Sequence, residues 1–448
     1  MKIKILPALI VLPALLASFS VAARAQSSLS LDEAVAIALN NSRVLNIARE
    51  GTIGAKAGKH EAITRFLPKL STSYSYVRLN EAPGLNFPGF PPVIPPAAIV
   101  TGTKDNYNWV IEARQPLFAG GGILAAYQSS QIAEDAAVIE EAAKAQDVIY
   151  DVKVAYFNIL RAQRLCDTAD RAVEMLSAHC DAAEHFFKVG LIPKNDLLQA
   201  QVELANGRQA AVKAQNALEL AGSHLNILLK RDLHTPVEVQ DNLFYAPFDH
   251  TLEQCLDIAR QNRPELKAAK LKSEQANKAV RIAMSEFFPV VSLVGQYGRF
   301  GDKPDLDGST YRDAENWQVM AVASWDFWEW GKNKYRVDAS RAALHQATDM
   351  ALELHDQVAL EIKNAYLLLK EAQSQIDVSQ KVIDQARENH RISEARYLER
   401  VARSTEVLDA QTLFTRARSE YANALADYNI SQARLERAMG IINRPSQN

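Results

Sequence analysis

Three cysteines, Cys166, Cys180 and Cys255, and a glycine triplet, Gly120-Gly121-Gly122, are the residues of this 448-residue chain whose types first suggest chemistry. Paired thiols would hold a metal or run a redox cycle, and a glycine run between a strand and a helix would cradle a phosphate. The spacing supports neither. No HExxH, CxxC or spaced His/Cys cluster occurs, so neither a metal nor a cofactor is expected. An odd cysteine count leaves at least one thiol unpaired within the chain. Further along, Trp330-Gly331 stands where the glycine triplet stands earlier, so a strand-to-helix turn explains both better than a phosphate site does. An enzyme is not expected. With 50 basic residues against 53 acidic ones, the chain is not basic enough to coat nucleic acid.

Residues 1–25 read as a secretory signal. Lys2 and Lys4 precede an apolar stretch that Pro7 and Pro13 interrupt, and Ala23-Arg24-Ala25 forms a small-x-small cleavage site. No later apolar run approaches the length of a spanning helix. The chain is therefore expected to be exported and to carry no membrane-spanning helix.

The remainder is written twice. Leu31-Asp-Glu-Ala-Val-Ala-Ile-Ala-Leu-Asn-Asn41 resembles Leu252-Glu-Gln-Cys-Leu-Asp-Ile-Ala-Arg-Gln-Asn262, an offset of 221 that also matches Phe66 and Pro68 to Phe287 and Pro289. Beyond the first strands the offset is 210, matching Ala155-Tyr156 to Ala365-Tyr366 and Ala200-Gln201 to Ala410-Gln411. The first copy thus carries 11 extra residues, which fall at about 80–104 among six of the 17 prolines and are expected to form a surface loop. The domain division follows: signal 1–25, repeat one 26–248, repeat two 249–448. Each repeat opens on a short helix (31–48, 252–270) and a longer one. A strand pair (68–118, 289–328) and a long helical hairpin (123–229, 332–439) follow, and a C-terminal tail ends the chain. The stretch 123–189 has neither Gly nor Pro, and at 1.5 Å per residue its helix would be a rod of roughly 100 Å.

The rods carry heptad seams. From Ala155 through Ile159, Ala162, Cys166, Ala169, Val173, Leu176, Cys180 and Ala183 to Phe187, apolar residues recur in alternating steps of three and four. Leu197 to Leu228 and Val407 to Ala438 continue the pattern. Cys166 and Cys180 sit on the seam, where small buried side chains are expected. Val189-Gly190-Leu191-Ile192-Pro193 marks the turn of the first hairpin, whereas the second has Glu399-Arg400-Val401-Ala402-Arg403, without the Gly and Pro signal.

The strands alternate. Tyr107, Trp109, Ile111 and Ala113 share one face; so do Trp317, Val319, Ala321, Ala323 and Trp325; so do Leu70, Thr72, Tyr74 and Tyr76; Tyr297 belongs with Val291 and Leu293. Such faces fit either a half-buried sheet on helices or a membrane barrel with apolar-out, polar-in strands. Four strands cannot close alone, and lipid tolerates no open edge, so the barrel reading requires a symmetric oligomer. Two chains give eight strands, too narrow for an open duct; three give twelve.

In this order of strand pair, long hairpin, strand pair and long hairpin, the chain resembles the TolC family of outer-membrane efflux ducts. The carriers are Leu31-Asp-Glu-Ala-Val, Phe66-Leu67-Pro68, Gln115-Pro116-Leu117-Phe118 with Gly120, Val189-Gly190-Leu191 with Asp196-Leu197, and Val407-Leu408-Asp409-Ala410. The resemblance implies a mixed fold: a homotrimeric 12-stranded outer-membrane β-barrel continuing into a periplasmic α-helical coiled-coil barrel. It implies as partners outer-membrane lipid, a periplasmic adaptor and an inner-membrane RND, ABC or MFS pump, and as role an efflux or type I secretion duct. By position it implies a periplasmic constriction at Glu406 and Asp409, three apart on one helix face. It also implies a gate tie between Tyr397 and Asp196, although the accompanying basic residue falls at Ala402. Adaptor-contact tips fall at Gly190, Leu191, Arg400, Arg403 and Ser404, and Tyr74, Tyr76, Tyr107, Trp109, Tyr297, Trp317 and Trp325 are the lipid-facing aromatics. The rival reading is a periplasmic coiled-coil adaptor or structural rod without a pore.

Overall fold

A computed structural model describes residues 28–90 and 92–442; the signal at 1–25 and the end of the C-terminal tail lie outside the described residues. In the first half, α1 (Leu31–Asn41) and α2 (Arg43–Thr64) lead into β1 (Lys69–Arg78), β2 (Gly84–Phe87), β3 (Ala97–Val100) and β4 (Asp105–Ala119). The hairpin of α3 (Gly122–Lys188) and α4 (Lys194–Leu229) completes it. The second half repeats the order with α5 (Leu252–Asn262), α6 (Pro264–Ser285), β5 (Val290–Gly301), β6 (Glu315–Ser324), α7 (Lys332–Leu398) and α8 (Ser404–Ala438).

Local chemistry sets the element ends. Ser30 and Glu33 form a capping box at α1, and Thr251 and Gln254 form its counterpart at α5. The leading helices are shorter than the sequence pattern implies. Ser42 ends α1 in extended backbone and caps α2 through Leu45 N–H, and Arg263 is extended before Pro264, which opens α6. The residue before a proline avoids the α region, which breaks the second helix there. α3 and α7 each run 67 residues without a break, from Gly121 and Gly331 in left-handed backbone, and reach about 100 Å.

The seams become the core. Cys180 and Ala183 of α3 pack on Leu197 and Ala200 of α4. Ile362, Ala365, Leu369, Ala372 and Ile376 of α7 pack with Ala424, Tyr428, Leu435 and Ala438 of α8. At Gly207 of α4, an added Cβ would come within 2.7 Å of Leu176 Cδ1, so the missing side chain sets the close approach of α3 and α4. All three cysteines are free and buried, and burial pushes each thiol pKa up. They are inert packing groups rather than nucleophiles.

The four-stranded sheet has the order β1-β4-β5-β6, antiparallel throughout. Its central pairing, β4 with β5, joins the two halves, and β1 and β6 each keep one edge without a partner among the described residues. The proline-rich insertion is not simply a loop: β2 and β3 pair as a small hairpin of their own, Gly84 opposite Val100 and Phe87 opposite Ala97. Pro88, Pro92, Pro95 and Pro96 cannot donate to a ladder, and they lie between the two strands.

An ion network absent from the heptad pattern locks the halves together. The Arg437 guanidinium of α8 donates to Asp147 of α3 at 2.6 Å and to Glu265 of α6 at 2.6 Å. Arg263 reaches Glu361 of α7 at 2.6 Å and the Ala438 carbonyl at 2.7 Å. Replacing Arg437 with Met leaves two carboxylates without their shared cation and is expected to cost about 2–3 kcal/mol. Arg437→Lys keeps the charge but not the fork and should recover part of that loss. Denaturant titration of the helical circular dichroism checks both.

Candidate functional site

Two regions bring the singled-out residues together: the sheet and the hairpin tips. Strand registers align the alternating side chains into rows. Thr72, Ile111, Tyr297 and Trp317 stand opposite one another across all four strands. Around them Tyr76 stacks on Tyr107 at 4.6 Å, Trp109 meets Tyr297 edge-on at 6.4 Å, and Trp109 Nε1 donates to Thr72 Oγ1 at 3.0 Å. Tyr74, Tyr76, Tyr297, Trp317 and Trp325 are exposed, whereas Tyr107 and Trp109 are half-buried under their neighbours.

The opposite face is a polar row in register: Ser71, Glu112, Gln296 and Gln318. Gln318 donates to Gln296 at 2.6 Å, Gln296 to Glu112 at 2.7 Å, and Arg114 to Glu112 at 3.0 Å. A sheet with one exposed aromatic face and one hydrogen-bonded polar face suits lipid on one side and water on the other. Beyond β6, Phe327, Trp328 and Trp330 extend the exposed aromatics to the strand-helix junction. The alternation did not reveal these, because they follow the strand; the crowding of three of the five tryptophans into 325–330 was the available signal. Amphipathic rings at that level suit a membrane-water boundary.

At the far end of the rods both hairpins turn by the same device. Leu191 N–H donates to Phe186 O and Gly190 N–H to Phe187 O, both at 2.9 Å, with Gly190 at φ 75°. In the second tip Val401 N–H donates to Arg396 O at 2.8 Å and Arg400 N–H to Tyr397 O at 2.9 Å, with Arg400 at φ 62°. Each is the two-bond Schellman closure. Arg400 accepts left-handed backbone at a cost of roughly 1 kcal/mol, so the turn forms without its glycine.

Gly190, Leu191, Arg400 and Arg403 are exposed at these tips, but Ser404 is buried and cannot belong to a contact surface. Its hydroxyl instead bonds Nε2 of the buried His179 at 2.9 Å, joining α8 to α3. The Tyr397 ring lies 4.9 Å from the His179 ring and 5.6 Å from Phe186. The family resemblance implies a bond from Tyr397 to Asp196. Here no hydrogen bond joins Tyr397 to Asp196 among the described residues, and Asp196 acts only through its charge. Burial first, then that charge, pushes the phenol pKa up, against the opposing Ser404 hydroxyl. Packing between two rings, rather than the carboxylate, holds Tyr397.

Glu406 and Asp409 are both exposed and share one face of α8. Glu406 is already employed: its carboxylate accepts from Arg403 N–H at 3.2 Å, capping the start of α8, and lies 3.6 Å from Arg396. Asp409 has no bonded partner among the described residues. No group of His, Cys, Asp and Glu suited to a metal occurs among the described residues.

A family model described as outer membrane efflux protein matches residues 34–229 and 255–441. CyaE of Bordetella pertussis is 25% identical over 332 residues, covering 73% of this chain and 69% of that protein. TolC of Escherichia coli K12 is 23% identical over 321 residues, covering 68% of this chain and 65% of that protein. Among solved structures, the CmeC outer membrane channel of Campylobacter jejuni matches with a TM-score of 0.79 at 20% identity, over 93% of this chain and 87% of that one. VceC of Vibrio cholerae matches with a TM-score of 0.78 at 19% identity, over 92% and 96%.

Burial lowers the His179 pKa, and His390 adds to the effect. Its folded-state pKa therefore lies below the ordinary imidazole value of about 6.5, so the unfolded form binds more protons just below that pH. The His179–Ser404 clasp should be at full strength above about pH 6.5 and weaken as the pH falls below it. Hydrogen exchange of tip amides between about pH 7.5 and about pH 5.5 should show this loss, and His179→Gln should abolish the pH dependence.

Proposed function

The chain belongs to the outer membrane efflux protein family, and from that membership we propose that three copies close one outer-membrane duct which accepts cargo from an inner-membrane pump through a periplasmic adaptor. It is an outer-membrane efflux channel with a periplasmic helical extension. The observation that carries the trimer is the sheet with two open edges. Every backbone polar group in hydrocarbon needs a partner, and a closed barrel is how strands satisfy this. Four strands from each of three chains give the twelve that leave room for a lumen.

The halves supply the closing register. Ile111 of β4 pairs with Tyr297 of β5 within the chain. The same relation, carried by the repeat offsets, sets Ala321 of β6 opposite Tyr76 of β1 in the next copy. In that arrangement the aromatic face meets lipid and the Ser71–Glu112–Gln296–Gln318 row lines the lumen. A periplasmic rod without a pore would need neither face, which disfavours the rival reading. The exposed tips, with Leu191 and Val401 beside Arg400 and Arg403, are the surface offered to an adaptor. The choice among RND, ABC or MFS pumps, and between efflux and type I secretion, lies with those partners.

At the tips, three copies would bring three Asp409 and three Glu406 carboxylates around one axis, a ring that attracts cations. The capping bond divides their roles. Asp409→Ala should weaken cation block of single-channel current several-fold and leave stability unchanged. Glu406→Ala should weaken block and also cost about 1 kcal/mol at the start of α8. Planar-bilayer recording of each variant measures the first effect, and thermal melting the second. Mass by light scattering in detergent tests the duct itself: a trimer that conducts supports it, while a monomer released with the soluble periplasm overturns it.

A further inference from the structure

Two contacts between the halves of one chain, both joining α3 to α8, have counterparts under the repeat offset that lie unused. Arg418 of α8 pairs with Asp167 of α3 at 3.0 Å, and the Gln411 amide donates to the Ala172 carbonyl of α3 at 3.1 Å. Shifted by the repeat offset of 210, Arg418 becomes Arg208 of α4 and Asp167 becomes Asp377 of α7: both residue types return, with both signs of charge. Gln411 likewise becomes Gln201, and Ala172 becomes Val382. Arg208, Gln201, Asp377 and Val382 are all exposed, and neither Arg208 nor Asp377 forms an ion pair among the described residues.

The apolar residues of the same stripe follow suit. On α8, Leu408 and Ala422 are 6% and 7% exposed; their counterparts on α4, Leu198 and Val212, are 48% and 61% exposed. On α6, Ala268 is 6% exposed, while its counterpart Ile47 on α2 is 73% exposed. Apolar side chains at such positions are surface only until something covers them.

We propose that these two contacts between the halves of one copy are repeated between copies, with Arg208 of one copy paired to Asp377 of the next and the Gln201 amide on the Val382 carbonyl beside it. The occupant of the α4 face is therefore the α7 face of a second copy. This rests on the trimer reading, to which it adds the residues that set rotational register. Charge complementarity across the seam admits only one hand of assembly, since α4 carries the cation and α7 the anion. A head-to-tail interface of this kind closes into a ring when the rotation is right.

The test uses two differently tagged full-length chains expressed together, with Cys166, Cys180 and Cys255 replaced by Ala. One carries Arg208→Cys, the other Asp377→Cys. A short bis-maleimide should link the two tags covalently, and neither chain expressed alone should link. In the otherwise unaltered chain, Arg208→Asp and Asp377→Arg should each lower the dissociation temperature of the detergent-solubilised trimer by several degrees. The double reversal should recover most of that loss. A trimeric protein whose two tagged chains do not link, or whose double reversal is no better than the singles, overturns this seam and leaves the trimer standing. A protein that proves monomeric in detergent overturns both.

Discussion

A β-sheet in hydrocarbon cannot leave a backbone N–H or C=O without a partner, and this chain makes a sheet with two such edges. That constraint reaches every other part of the molecule. A protein with four strands per chain must assemble to be inserted at all, so its helices must present faces to other copies as well as to each other. In the proposed assembly, the exposed aliphatic residues on α2 and α4 belong to such faces. The two halves already solve the same problem once, at the β4–β5 pairing and the α3–α8 contact below it, and a pseudo-symmetric assembly needs only to repeat that solution.

The rods below the sheet obey a different rule. A 67-residue helix has little core around any one turn, so its order comes from a continuous seam of small residues that lets neighbours approach closely. Alanines and Gly207 supply that closeness, and large side chains such as Tyr156, Leu369 and Tyr428 are kept for the level where the short helices and linkers wrap the rods. The Arg437–Asp147–Glu265 network stands at the same level. It fastens α3 of one half to α6 and α8 of the other, while the tips have only a few polar links.

The tips are consequently where the structure has least to lose by moving. His179 and Ser404 supply one buried hydrogen bond between the halves, and Tyr397 is held by ring packing. Exposed carboxylates stand immediately beyond. Of the two, Glu406 holds the start of α8, and Asp409 has no bonded partner among the described residues.

The amino-acid sequence by itself determined the doubled plan, the rods and the alternating strands, because each is a periodicity: one repeat offset, a 3.5-residue seam and a two-residue alternation. It placed the aromatic face and the seam cysteines for the same reason. Tertiary structure decided what periodicity does not encode. Whether Tyr397 meets Asp196 or His179 depends on which helices converge at the tip, and Ser404 is buried because α3 crosses it, although its turn suggested a surface. Arg400 adopts a glycine conformation because the hairpin around it is already committed, and β2–β3 pairs within a stretch whose prolines signal only a loop. The Arg437 network joins residues far apart in the chain, with no spacing to betray it. Local patterns are written in neighbouring residues, whereas partners across a fold are chosen by three-dimensional convergence.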